Sequence, residues 1–351
     1  MKIFSLPLSS LKIFIYGVIV LFCVSLPYIL PSYYISILCY GLVFGIASLG
    51  FTFLFKNVGL LSLGHAAYFA VGAYSVALFM KYFSIHSIEL LLMISIFSSL
   101  LLSAIYGFLC VRHTQVYFAL LSLALAQLIW VAINKFYFIT YGADGIHVAR
   151  PTIFGMNFSW IGSTEFIAKV FYYYILAILL VLVGVTWIII NSPFGRSLQA
   201  IRDNEVRAKF IGIKVRLYKW YAFLFSGTIT GISGALYAVL NNHVVPEIAN
   251  WTFSGEIIII SLLGGLDYLI GPVAGGIIYS FMRIYIWGIT IYWKLLLGIV
   301  LLTILFLIPG GLISVIHKIM RAQIIFYHHS KRPNTSSLNP KRKMKSNLAT
   351  T

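Results

Sequence analysis

Long apolar runs separated by short polar breaks govern this sequence. Runs of about the length needed to cross a bilayer, roughly 20 residues, fall at 13–30, 34–55, 60–80, 88–111, 115–135, 170–190, 220–241, 254–266, 271–286 and 292–309. The pattern predicts an all-α, polytopic transmembrane helical bundle of about ten spans. The eighth and ninth runs are short, as expected of half-helices or a re-entrant pair. The first run ends in Pro27-Tyr28-Ile29-Leu30-Pro31 without a small-x-small cleavage site, so it is expected to remain as a span. Three polar stretches interrupt the pattern, at 136–169, 191–219 and 317–351. Residues 1–316 are therefore expected to form one membrane domain. Residues 317–351, rich in Lys, Arg, Asn and Ser, are expected to form a disordered tail.

Composition agrees with lipid as the main solvent. The chain is 61% hydrophobic and only 9% charged, against about 25% charged in soluble domains. A net charge of +17 invites a nucleic-acid partner, but its distribution argues against one. With the N-terminus in the cytoplasm, ten spans place 19 of the 25 Lys and Arg inside: Lys2, Lys12, Lys56, Arg112, seven in the 191–219 loop and eight in the tail. That is the positive-inside arrangement, with both termini cytoplasmic. The tail's basic cluster either contacts anionic lipid or only fixes topology. Cys23, Cys39 and Cys110 lie inside apolar runs without metal or disulfide spacing, as packing residues do.

The 191–219 loop has its own pattern. Pro193 and Gly195 break the incoming helix, and residues 196–211 then have helical spacing. Leu198, Ile201, Ala208 and Ile211 share one apolar face. Arg202, Glu205 and Lys209 stand three or four apart, where side chains pair along a helix. Gly212 suits the helix stop. By pattern alone, such a helix either lies on the bilayer surface or meets a partner.

The order of residues in this loop, Phe194-Gly195-Arg196-x-Leu198-x-Ala200-Ile201-Arg202-Asp203-Asn204-Glu205 followed by Gly212-Ile213, resembles the cytoplasmic loop of the permease subunits of branched-chain amino-acid ABC importers. Four further motifs support the resemblance: Asn57 to Ala67 with Gly72-Ala73-Tyr74, Tyr117 to Ala124, Gly231 to Tyr237, and Ser261 to Leu266 with Gly271 to Gly276. Each alone is a weak, Gly-rich pattern, but together they cover roughly residues 35–310 in the right order. The resemblance implies a multi-pass protein of the bacterial inner membrane that translocates branched-chain amino acids. It further implies cytoplasmic ABC ATPase subunits, a second homologous permease, and a periplasmic or lipid-anchored substrate-binding protein. The ATPase contact would use Gly195, Arg196, Ala200, Arg202, Asn204, Glu205 and Gly212. A urea or short-chain amide permease of the same superfamily is the alternative. No Gly-x-x-x-x-Gly-Lys-Ser/Thr loop occurs, so ATP would be bound by the partner, and no cofactor, metal or catalytic activity is expected of this chain itself.

Candidates for the translocation pathway, or for broken helices beside it, are Gly59, Ser62, Gly64, His65, Gly264, Gly265, Gly271 and Pro272. Small residues let helices approach closely in lipid, and irregular backbone at membrane depth is tolerated where it lines a cavity or is buried. Gly72 belongs to the same small-residue set. Gln127, Asn134 and Glu256 are intramembrane polar candidates by default, with Glu256 expected at a span end. Asp267 is expected in a cytoplasmic turn, where it either caps a half-helix or meets the ATPase.

Overall fold

The computed structural model describes residues 23–307 apart from 114 and 159, together with Gly311. Residues 13–22 of the first expected span and the tail at 317–351 lie outside the described residues. The fold is a helical bundle: α1 Ser32–Val58, α2 His65–Phe83, α3 Ile88–Cys110, α4 Gln115–Lys135, α5 Ser163–Asn191, α6 Pro193–Asp203, α7 Glu205–Phe210, α8 Val215–Asn241, α9 Trp251–Gly264, α10 Gly271–Trp287 and α11 Trp293–Leu307. Among the described residues, α1 to α5 and α8 are long and apolar enough to cross a membrane, while α9 and α11 are shorter apolar helices.

α1 is the axis of the bundle, with 94% of its most apolar stretch buried. α8 and α10 pack on it, and small residues bring the backbones together. Ser226 and Ser233 of α8 donate to the carbonyls of Gly50 and Val43 at 2.7 and 2.6 Å. α2 crosses α8 where a Cβ on Gly72 would stand 2.0 Å from the Gly231 carbonyl oxygen. α3 lays Ser95, Ser99 and Ser103, one turn apart, against Gly227 and Gly231 of α8. Such contacts suit lipid, where close van der Waals packing, rather than burial from water, holds helices together. α3, α4 and α5 are largely exposed, as an outer ring facing acyl chains would be.

The polar connections collect at two opposite ends. At one end, β1 Ile146–His147 pairs antiparallel with β2 His243–Val244, Thr152 N–H donates to the His86 carbonyl at 2.7 Å, and Lys81 lies over the Tyr141 ring. At the other end, residues 59–64, the 191–214 loop and the turn at 265–270 meet.

Several boundaries differ from those expected. Residues 60–64 are not helical; α2 starts at His65 because Gly59, at φ +78°, ends α1 in the left-handed region. α5 begins at Ser163 and contains a π-helical turn at Ile167–Phe171. α8 starts at Val215, five residues before its apolar run, because the amphipathic turn 215–219 packs beneath the loop. The eighth and ninth runs form a short antiparallel hairpin, α9 and α10. A Cβ on Gly264 would stand 1.8 Å from the Gly271 carbonyl oxygen, and Gly265 takes φ +103° at the bend.

Candidate coupling site

The loop after α5 is built by two caps. Ser192 is extended and its hydroxyl accepts from the Gly195 N–H at 3.3 Å, while Pro193 occupies the first turn, where a missing N–H costs nothing. Gly195 is therefore inside the helix rather than at its boundary. Its role is close approach: a Cβ there would lie 2.3 Å from the Ile190 carbonyl oxygen, at the corner between α5 and α6. The expected single helix over 196–211 is in fact two. Asn204, at φ −159° and ψ 105°, leaves the helical region, and its side-chain oxygen accepts from the Arg207 N–H at 2.9 Å. The competition between side chain and backbone for this N–H ends α6 and starts α7. Gly212, at φ +87°, follows the end of α7, as expected of the stop.

The break changes which residues face inward. Leu198, Ile201 and Ala208 are buried, in one cluster with Phe53, Leu54 and Val58 of α1, Tyr106 and Cys110 of α3, and Ala222 and Phe223 of α8. Ile211 does not join them. Redirected by the bend at Asn204, it is 72% exposed, beside Val206 and Phe210, which is 86% exposed. The apolar face of α6 is consumed by the bundle, so the helix does not use it to rest on a bilayer. Arg196, Gln199, Asp203 and Arg207 point away from the bundle and are exposed.

Polar ties then join the loop to α8 and to the end of α1, and α1 in turn to the α9–α10 turn. Glu205 accepts from Lys219 Nζ at 2.7 Å and pairs with Lys209 at 3.2 Å. Lys219 is 5% exposed at its side chain, so Glu205 is the counter-charge that makes its burial tolerable. Burial pushes the Glu205 carboxyl up, but hydrogen bonds and charge from Lys219 and Lys209 outweigh it and hold the group below the usual carboxylate range. Arg202, expected beside Glu205, instead donates to the Lys56 carbonyl at the end of α1, and Gly59 lies under its side chain, with a Cβ there 3.3 Å from the Arg202 Cγ. Lys56 Nζ in turn reaches Asp267, in the turn between α9 and α10. Asp267 caps no helix: Ile270 occupies the N-cap of α10, and the Asp267 side chain is 82% exposed, pairing with Lys56.

The pathway candidates fall in two other places. Ser62, Gly64 and His65 form a buried corner joining four helices. The Ser62 hydroxyl accepts from the Gly64 N–H, and a Cβ on Gly64 would lie 2.8 Å from the Ser122 carbonyl oxygen. His65 Nδ1 lies 3.3 Å from the Ser62 carbonyl and Nε2 lies 2.9 Å from the Ser226 hydroxyl, while Ala66 N–H donates to Ser254 at 2.9 Å. Gly264, Gly265, Gly271 and Pro272 form the tight α9–α10 turn, with Pro272 in the first turn of α10. Of all the sequence candidates, Gly59 and Arg202 are the pair brought into contact across the two sets. Asn134 bonds within its own helix, to Trp130 O. Gln127 Nε2 is buried without a hydrogen-bond partner among the described residues. Glu256 is not at a span end but in the second turn of α9, bonded by Tyr279. Sequence pattern alone passed over Lys56, although a basic residue closing an apolar run next to Asn57-Val58-Gly59 was a signal for it.

A bundle of membrane-length helices, closed at one end by a two-helix loop that is anchored inside and charged outside, has the form of a transport permease. The profile described as "Branched-chain amino acid transport system / permease component" matches residues 33–305, and the chain belongs to that family. It is 26% identical over 319 residues to the high-affinity branched-chain amino acid transport system permease protein LivM of Escherichia coli (strain K12), covering 86% of this chain and 75% of that one. It is 26% identical over 152 residues to the probable branched-chain amino acid transport permease protein LivH of Methanocaldococcus jannaschii, covering 39% of this chain and 46% of the relative. It is also 26% identical over 182 residues to an autoinducer 2 import system permease protein LsrC of Yersinia pseudotuberculosis (serotype O:3, strain YPIII), covering 46% of this chain and 50% of that one. No solved structure matches it. The protein is thus a multi-pass membrane permease component, which is not itself an enzyme.

Proposed function

We propose that this chain is the membrane-spanning subunit of an ABC importer that carries branched-chain amino acids across the bacterial inner membrane. A separate ATPase, which binds the nucleotide, would drive it, and a second homologous permease and a substrate-binding protein would complete the complex. Residues 1–316 would form the permease domain, with ten spans and both termini cytoplasmic, and 317–351 a cytoplasmic tail. The loop at 191–214 would be the ATPase contact, using Arg196, Ala200, Arg202, Asn204 and Glu205 between the glycines at 195 and 212.

The observation that carries this reading is the two-sidedness of the loop. Its inner face is fused to the bundle core through Leu198, Ile201 and Ala208, while its outer face presents Arg196, Arg207 and Phe210. Transmission between sites needs a discrete element that both can bias, and a helix clamped on one side and free on the other is such an element. The Glu205–Lys219 and Arg202–Lys56 ties would pass its movement to α8 and α1. The family match and the named LivM and LivH relatives favour branched-chain amino acids over urea or amides.

The test is uptake by the reconstituted complex in liposomes, comparing leucine, isoleucine, valine and urea with and without ATP. ATP-dependent uptake of the three amino acids is expected; uptake of urea alone, or uptake independent of ATP, overturns the reading. Single cysteines at Gln199 and His147, both exposed at opposite ends of the bundle, should label from the cytoplasmic and outer sides respectively. Labelling of both from one side overturns the topology.

A further inference from the structure

Four helices converge on one further cluster that the coupling site does not use. On α10, Tyr279 and Arg283 stand one turn apart; on α1, Tyr40 and Phe44 do the same, and on α8, Tyr237 and Asn241. Glu256 comes from α9. Tyr279 Oη donates to Glu256 Oε2 at 2.8 Å, and Tyr40 Oη donates to Asn241 Oδ1 at 3.1 Å. Arg283 lies 3.9 Å from Glu256 Oε2, near enough to share charge but too far for a hydrogen bond. Its guanidinium faces the Phe44 ring at 6.0 Å and the Trp293 ring at 5.4 Å. Phe44 in turn packs on Tyr237 and Tyr279, with ring centroids 6.0 and 6.1 Å apart.

The depth of this cluster matters. Arg283 stands twelve residues along α10 from Gly271, and Phe44 twelve residues along α1 from Lys56. At about 1.5 Å per residue each lies about 18 Å from the end carrying the coupling loop. Glu256, eight residues from Gly264, lies about 12 Å from it. In a hydrocarbon core of about 30 Å, these groups sit near the middle. The side chains of Arg283 and Glu256 nevertheless remain 36% and 29% exposed. Charges at that depth do not face acyl chains; they face a partner subunit or a water-filled cavity. Among the described residues Arg283 donates no hydrogen bond, so its planar fork of donors is free for a planar, two-oxygen acceptor.

The geometry points to a station in the translocation pathway that reads an amino-acid zwitterion. Arg283 would take the α-carboxylate, Glu256 and the half-buried Tyr40 ring the ammonium, and Tyr237 the apolar side chain, with the buried Phe44 ring packed behind them. This rests on the amino-acid importer reading above and names residues for its cargo. The spacing also explains why the ion pair is loose: a tight Arg–Glu pair would satisfy both charges and leave nothing for a zwitterion to displace.

The experiment uses the full complex in liposomes and measures leucine uptake and ATP hydrolysis together. Arg283→Gln is expected to lower leucine imported per ATP hydrolysed at least tenfold while the subunits still co-purify, and Arg283→Lys to lower it several-fold because the fork is lost. The neutral pair Glu256→Gln/Arg283→Gln separates site from scaffold: a structural ion pair is replaceable by matched neutral groups, so wild-type uptake in the double variant overturns the proposal. Where Arg283→Gln fails to assemble, Arg283→Lys decides, and unchanged uptake per ATP in it overturns the proposal equally. A wild-type complex that imports no amino acid overturns the substrate reading itself, whereas normal wild-type uptake with unaffected variants overturns this site alone.

Discussion

Glu205, the first residue of α7, accepts a 2.7 Å hydrogen bond from Lys219, a lysine 5% exposed on α8. The loop is thereby locked to a helix that runs through the bundle, across fourteen residues of sequence. Removing the carboxylate by Glu205→Gln leaves a buried ammonium without its counter-charge, and should cost roughly 1–3 kcal/mol of stability. Lys219→Met should restore much of it in the Glu205→Gln background, because a buried pair replaced by matched uncharged groups is tolerated. Melting of the purified complex, measured for the two singles and the double, checks this; additive losses would contradict the pairing.

The same pair sets a pH dependence. The Glu205 carboxyl is held below its ordinary value, so its contribution is full above the unfolded carboxylate range, about pH 4.3, and is lost as pH falls through the lower folded value. The melting temperature of the wild type should fall more steeply on acidification below that range than that of Glu205→Gln. Parallel curves would show that the pair adds no pH-linked stability.

Asn204 divides the loop by capping α7. Asn204→Ala should cost about 1 kcal/mol, the usual worth of an N-cap, and Asn204→Ser, which keeps an acceptor, should cost less. Hydrogen exchange over 205–210 should speed up in the alanine variant and stay near wild type in the serine variant. The ratio of transport to ATP hydrolysis should follow the same order.

The two faces of the loop predict opposite phenotypes. Leu198 is completely buried, and Leu198→Asp should unfold the loop against the bundle and lower subunit yield. Phe210 is 86% exposed, and Phe210→Asp should leave the isolated subunit stable while weakening co-purification with the ATPase. Equal yield of the two variants would contradict the assignment of faces.

Helix crossings in the bundle depend on missing side chains. Gly72→Val places a Cβ 2.0 Å from the Gly231 carbonyl oxygen, and no rotamer relieves a backbone clash. It should abolish stable expression. Gly184→Ala on α5, with nothing within 4 Å of its added Cβ, should be neutral. Fluorescence-detected size-exclusion of both variants checks the contrast.

Much of this was legible from order alone. Apolar runs near bilayer length located the helices within a few residues, because span length is set by the solvent and not by neighbours. The loop was legible too, since Pro193, Gly195 and Gly212 are local signals and the residue order carried the family. The break at Asn204 was within reach, as an N-cap residue followed by Glu205, but helical periodicity in Leu198, Ile201, Ala208 and Ile211 suggested one continuous face.

What tertiary structure alone decided is which distant residues meet. Periodicity records which side of a helix is apolar, not what lies against it. That Arg202 turns to the Lys56 carbonyl rather than to Glu205, that Ile211 faces outward, and that Asp267 pairs instead of capping all depend on helix ends brought together by packing. Glu256 and Arg283 are 27 residues apart, on two helices joined by a glycine turn, and Tyr40, Phe44 and Tyr237 reach them from two others. The sequence determined that the chain crosses a membrane and which family it belongs to. Only the crossing of backbones at glycine and serine contacts determined where its charges stand.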